Sequence, residues 1–147
     1  MSSLRTWTTL LLAPRSSELA TDFALLVFRL LAGFALFRVH GLGKLLHFQH
    51  EAANIPDPFS LGGQFNAAFA VFSDVVCALL VMLGLLARPA ALGVLSTTLV
   101  GLLLVHLHDS WDLKDAPLTY ATMFLLVLLA GPGRFSLDAW LFRRQDS

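Results

Sequence analysis

Four apolar runs, each close to the length that crosses a bilayer, leave this chain few folds to choose from. A spanning helix needs roughly 20 mostly apolar residues, within a range of about 17–25. Only a helix or a closed barrel pairs every backbone group where no water is available. The first run extends from Phe23 to Leu46 and is interrupted by Arg29, Arg38, His40 and Lys44. The second, Phe65 to Leu86, holds a single acid, Asp74. The third opens near Pro89, a residue suited to a first helical turn, and reaches His108. The fourth, Ala116 to Ala130, is short, which predicts a locally thin bilayer or support from its neighbours. Composition agrees, with 56% hydrophobic and 14% charged residues, against about 25% charged in ordinary soluble domains. A soluble chain of 147 residues with mean hydropathy +0.72 could not bury so much apolar surface, so the surplus faces lipid. The expected fold is all-α: one four-helix transmembrane bundle, up-down and antiparallel, with short interfacial helices at the termini.

The connections fix the topology. Only the segment HEAANIPDPFSLGG between spans one and two is sizeable, and its prolines and glycines break helix. Spans two and three meet in a tight turn around Arg88, and spans three and four across the acidic DSWDLKDA. Connections this short force neighbouring helices to run antiparallel. Arg5, Arg15, Arg88, Arg134, Arg143 and Arg144 then collect on one side, with Lys114 and Lys44 toward the other. Short cytoplasmic loops carry the excess of Lys and Arg, so both termini are expected in the cytoplasm. The chain divides into three regions. Residues 1–20 read as an interfacial segment with Trp7 and Leu10 to Leu12 on the membrane, because as a signal peptide the apolar core is short and lacks an A-x-A site. Residues 21–134 form the membrane domain. Residues 135–147 read as an amphipathic tail, N-capped by Ser136, with Leu137, Trp140 and Leu141 on one face.

The ionisable groups inside the spans are the candidate site. At 100° per residue Arg29, Gly33, His40, Lys44 and His47 fall within about 60° of one another, and charged residues in a membrane face the bundle interior or a water-filled cavity. Arg38 lies half a turn away from Arg29 and is expected to snorkel to headgroups. Asp74, the only acid deep in a span, shares a face with the small residues Ala67, Ala70 and Ala78. A buried Arg29–Asp74 ion pair is expected. It serves either to fix helix register or to frame a polar site for a proton, a quinone or another small ligand. His106 and His108 end the third span about 200° apart, so they cannot both face inward. His108 lies nearer the small-residue face of Gly93, Thr97 and Gly101. With His40, Lys44, Asp109, Asp112 and Asp115 the two histidines form a polar cap on the extracytoplasmic side. The expected role of such terminal histidines is interfacial, so neither a metal site nor a b-type haem is expected.

Several classes of function lack their residues. Zero net charge argues against nucleic-acid binding, which shows as a basic patch or stripe. The single cysteine, Cys77, cannot form an internal disulfide, and without a CxxC pair no thiol relay operates within the chain. Cys77 reads as a packing residue. No Ser-His-Asp set, phosphate loop, Rossmann glycine pattern or zinc-protease motif is present. A transporter is disfavoured because no span is visibly broken and no inverted repeat stands out.

The segments FRLLAGFALFRVHGLGKL, PDPF, GLLARPAAL and GPGRFSLDAW, in that order from about residue 28 to 140, resemble the DoxX family of small bacterial membrane proteins. The resemblance places Arg29, Gly33, His40, Gly41 and Lys44 in the family's first-helix motif, and Gly131, Gly133, Ser136 and Asp138 in its last. Glu is common in the family where Asp74 stands here. A more distant likeness, to the vitamin K epoxide reductase bundle, lacks that group's thiols. Members are linked to thiosulfate:quinone oxidoreduction, quinol oxidase complexes and oxidative-stress complexes. The resemblance therefore implies a multi-pass protein of the bacterial cytoplasmic membrane that serves as a subunit or scaffold of a redox complex, beside soluble or membrane redox proteins. It equally leaves open a quinone-linked oxidoreductase subunit, in which Arg29, Asp74 and His40 or His108 bind a quinone and move its protons. Exposed small-residue faces leave a homodimer open.

Overall fold

A computed structural model describes residues 17–143, and every regular element among them is helical. The expectation for the N-terminal interfacial segment falls largely outside the described residues. Four helices are long and apolar enough to cross a membrane: α1 (Glu18–Leu46), α3 (Gly63–Leu83), α4 (Ala87–Val105) and α5 (Trp111–Ala130). A short α2 (Phe48–Asn54) follows α1, and α6 (Leu137–Arg143) closes the chain. The start of α1 packs on the end of α3 and its end on the start of α3. Further contacts of α3 with α4, α4 with α5, and α5 with α1 close the ring. The bundle is therefore up-down and antiparallel, with both ends of the described chain at one end.

Local chemistry sets the helix limits. Ser17 caps α1 by accepting the Ala20 N–H at 3.2 Å. The chain leaves α1 at His47 (φ −115°, ψ 36°) before turning into α2. Gly84 ends α3 in the left-handed region at φ 66°, and Leu85 N–H reaches back to the Leu80 carbonyl at 3.0 Å. Glycine adopts that conformation without the clash a Cβ would bring. The fourth span is longer than its apolar run suggests, because α5 starts at Trp111 and carries Pro117 inside it. Pro117 is the seventh residue of that helix, past the first turn, so it costs α5 one backbone hydrogen bond without ending it.

The core is built mostly from small residues packed around Phe124. Phe124 is fully buried among Ala78, Val81, Ala91, Val94 and Val127. Close helix approach needs such residues, since lipid tails are as apolar as leucine and packing must drive association. Cys77 belongs to this core, against Gly93 of α4, as its size predicts. Outward-facing Leu30, Leu31, Phe34, Leu92, Leu125 and Leu129 leave an apolar girdle that only lipid satisfies.

Three of the four spans contain a π-helical turn: Phe37–Gly41 in α1, Phe72–Cys77 in α3 and Gly101–Val105 in α4. Each inserts about one residue into a turn and so rotates the rest of its helix by about 100°. The turns of α1 and α3 pack on each other, that of α4 lies at its end away from the termini, and together they decide which side chains meet in the half of the bundle away from the termini.

Candidate functional site

A cavity of about 480 Å³ opens in that half, and all four spans line it. Its walls are mostly apolar: Leu36, Ile55, Phe59, Phe65, Phe69, Val100 and Pro117. Its polar groups come from several elements: His40 and Lys44 from α1, Asp74 from α3, Thr97, Thr98 and the following His106 from α4, and Tyr120 from α5. An apolar cleft of a few hundred Å³ with a few convergent polar groups is what a small-ligand site requires.

Lys44 and Asp74 form its electrostatic centre. Lys44 Nζ donates to Asp74 Oδ2 at 2.6 Å, and Ser73 Oγ donates to Asp74 Oδ1 at 3.2 Å. The carboxylate side chain is 4% exposed and the lysine 24%. The π turn of α3 carries Asp74 and that of α1 carries His40 and Gly41, one helical turn before Lys44. Gly41 makes the pairing geometrically possible. A Cβ there would stand 2.5 Å from the Asp74 carbonyl oxygen, so α1 and α3 touch backbone to backbone at this point. Gly41→Ala is expected to force them apart, costing about 1–3 kcal/mol as core overpacking does. Thermal unfolding in detergent micelles reads the loss, which should exceed that of the unobstructed Gly43→Ala.

His40 stands edge-on to Tyr120, with ring centroids 5.2 Å apart and planes at 89°. Tyr120 is the only tyrosine in the chain, and sequence reasoning passed it over. Its signal was available: the chain's one phenol stands inside an apolar span, three residues after a proline.

Two expectations are corrected. Arg29 and Asp74 do not pair. Arg29 is fully buried at the terminal end, where Nη1 donates to the Val81 carbonyl at 3.0 Å and Nη2 to the Phe135 carbonyl at 2.8 Å. Val81 lies seven residues beyond Asp74 on α3, roughly 10 Å along a helix axis, so the depths of the two groups do not match. The two histidines of α4 also exchange places. His106 lines the cavity and bonds Asp109 through Nδ1 at 2.8 Å, whereas His108 is exposed and contributes nothing to it. The extra residue in the Gly101–Val105 turn, and the end of the helix at Val105, rotate both away from the positions a regular helix gives them. His47 is exposed as well, and so is Arg38.

The terminal end carries a separate polar cluster. Asp138 Oδ1 and Oδ2 accept the Leu86 and Ala87 N–H groups at 2.9 and 3.1 Å, capping α4 from the tail. Ser136 caps α6 by accepting the Ala139 N–H at 3.1 Å. Asp22 accepts the Arg134 N–H at 3.0 Å. Together with Arg29 these bonds fasten the tail to the bundle and leave the opposite end free to hold a cavity. Among the described residues no group of three His, Cys, Asp or Glu side chains converges as a metal site would require.

The rim of the cavity is organised by Asp57 in the α2–α3 loop. Its carboxylate accepts the Leu61 N–H at 2.9 Å, the Gly62 N–H at 2.8 Å and the Asn66 side-chain amide at 2.8 Å. The Asn66 amide first, and then the Gly62 N–H, hold this carboxyl below its ordinary value of 3.8. A group depressed on folding contributes above its unfolded-state value and loses that contribution as pH falls through its folded one. Loop order is thus expected to be flat across neutral pH and to fail only below pH 3.8. Amide exchange at Leu61 and Gly62 against pH checks this, and Asp57→Asn should abolish the acid step.

No curated protein and no solved structure gave a match to this chain. The profile of the DoxX family does match it, over residues 24–107, more than half of its length. That stretch holds most of α1, the cavity rim, α3 and α4, with both members of the Lys44–Asp74 pair, and the chain therefore belongs to the DoxX family.

Proposed function

We propose that this DoxX protein is the ligand-carrying membrane subunit of a redox complex, and that its cavity takes the head group of a quinone. The single observation that carries the reading is the placement of the Lys44–Asp74 pair. A costly pair of charges stands at the wall of a largely apolar cavity, beside His40 and Tyr120, instead of being sealed in the core. Ionisable groups inside a membrane cost about 2.5–3.5 kcal/mol each on insertion scales, and they are retained where they act. A cavity of about 480 Å³ suits an aromatic head group.

The donor set fits as well. Lys44 Nζ, the His40 ring and the Tyr120 hydroxyl offer hydrogen bonds to carbonyl oxygens, and Asp74 accepts from a hydroxyl. When bound, a quinone would supply the two-electron, two-proton chemistry. The chain's own residues orient it, exclude water through the apolar walls, and exchange a proton at the Asp74 carboxylate or the His40 ring. The electron partner is a separate soluble or membrane redox protein. The excess of arginine at the terminal end favours a cytoplasmic location for it in a bacterial inner membrane, with the cavity toward the other side.

The test is binding of decylubiquinone to the purified protein in lipid vesicles. Saturable binding is expected, weakened about tenfold or more in Asp74→Asn and His40→Ala, because losing a charge-assisted hydrogen bond costs about 1.5–3 kcal/mol. His108→Ala should bind as the parent does. Equal binding by all four proteins, or none by the parent, refutes the assignment. A protein that binds no quinone but retains a soluble redox enzyme in a pull-down is a scaffold alone.

A further inference from the structure

The backbone of the α2–α3 loop has an unusual property for a connection outside the spans. Of residues 55–62, Pro56 and Pro58 have no N–H to satisfy. Ile55 N–H is bonded to Glu51 O at 2.8 Å and Ser60 N–H to Asp57 O at 3.3 Å. Leu61 and Gly62 N–H groups are both bonded to the Asp57 carboxylate. Six of the eight residues therefore present no free peptide donor. A water-facing loop has no need of this, whereas a segment entering lipid must satisfy its donors internally.

The side chains agree with the backbone. Phe59 and Leu61 are each 55% exposed, and Pro56 and Pro58 are also exposed. Asp57 is the loop's one charged residue, and three hydrogen bonds from its own surroundings occupy its two oxygens. The patch runs directly into the outward face of α3, where Phe65 and Phe69 are exposed with stacked rings 6.4 Å apart. That face belongs to a membrane-spanning helix, so the loop continues an existing lipid surface.

We propose that residues 55–62 are seated in the bilayer interface, at headgroup level in the leaflet away from the termini, so that the cavity opens to lipid and not to water. The seating stands on the loop alone; the statement about a ligand rests on the cavity reading above. Phe59, Leu61 and Phe65 line the mouth as well as the patch. A ligand arriving there would be an amphiphile whose apolar tail stays among these side chains while its polar head meets Lys44 and Asp74. Asp57 acts as the positioning residue, because its carboxylate removes the donors that would hold the loop in water.

The experiment places an environment-sensitive fluorophore on Phe59→Cys in a Cys77→Ala background of the full chain. The protein is reconstituted in vesicles of phosphatidylethanolamine and phosphatidylglycerol, with Leu129→Cys as the lipid-facing reference. Lipids brominated high on the acyl chain are expected to remove most of the Phe59-site emission, as at position 129, while aqueous iodide removes little. Adding Asp57→Ala should shift emission to the red and restore iodide quenching. Strong iodide quenching in the parent overturns the proposal, as does shielding from both quenchers, which would mean that protein covers the patch. Decylubiquinone binding measured on the same sample separates the two readings. Bromolipid quenching without quinone binding leaves the seating intact and removes the quinone assignment.

Discussion

Lys44→Ala is expected to destabilise the bundle by about 3–5 kcal/mol, the cost of stranding a buried charge, and Asp74→Ala by distinctly less. The asymmetry comes from burial. With lysine gone, a carboxylate 4% exposed keeps only the Ser73 hydroxyl at 3.2 Å. With aspartate gone, a lysine already 24% exposed swings its four-carbon stem toward the headgroups and recovers hydration. Unfolding by denaturing detergent in mixed micelles measures both. The double variant Lys44→Met, Asp74→Leu removes two charges and leaves none unpaired, so it should approach the parent in stability, as buried pairs replaced by apolar residues often do. It should nevertheless lose quinone binding. That combination would separate the pair's contribution to folding from its contribution to the site. If the double variant were as unstable as Lys44→Ala, or if Asp74→Ala were the more damaging single change, the pair would be a structural strut and its cost would no longer point to a ligand.

The bundle itself was legible because lipid imposes a coarse rule. A run of apolar residues of bilayer length has one main solution, and short connections leave one topology. The Ser136 cap of the tail helix and the packing role of Cys77 were readable for similar reasons, since each depends only on neighbours in sequence or on size. What escaped was whatever depended on exact rotation and depth. A wheel drawn at 100° per residue runs true through Arg29 and Gly33 and then meets a π turn at Phe37–Gly41. The same fault in α4 moved His106 into the cavity wall and His108 out of it. π turns in three neighbouring spans are a tertiary compromise, and nothing in single-residue preference announces them.

Depth failed for a different reason. Asp74 needs a cation, and α1 offers Arg29, Arg38, His40 and Lys44. Choosing among them from sequence means counting from helix ends, and α1 begins at Glu18, five residues before its apolar run. That count assumes that the ends are level, whereas α1 meets Val81, two residues before the end of α3, only at Arg29, eleven residues in. Lys44, which the count from the apolar run sets above the site, is the partner, and Arg29 belongs to the other end of the molecule.

Arg29→Ala is accordingly expected to free the tail and to cost about 3–5 kcal/mol, as truncation of a large, fully buried side chain does. Its guanidinium bridges two elements, taking the Val81 carbonyl of α3 with one nitrogen and the Phe135 carbonyl before α6 with another. Arg29 Nε is buried without a hydrogen-bond partner, so the fork is held for its two outer nitrogens. Arg29→Lys keeps the charge but offers a single ammonium where two carbonyls must be spanned. It should lose one charge-assisted bond, about 1.5–3 kcal/mol, and release Phe135 first. Val81 O also accepts from Gly84 N–H at 3.1 Å and so remains satisfied when the guanidinium is gone. Amide exchange reads the outcome at Leu86, Ala87 and Asp138, whose N–H groups are all bonded across the tail junction. Both variants should accelerate it while leaving exchange at Leu61 and Gly62 unchanged. Protection that persists at the junction in Arg29→Ala, or loop exchange that rises with it, would mean that Arg29 acts through the cavity after all. The motif arginine of the first helix would then be part of the ligand site, and the division of labour between the two ends of the bundle would be lost.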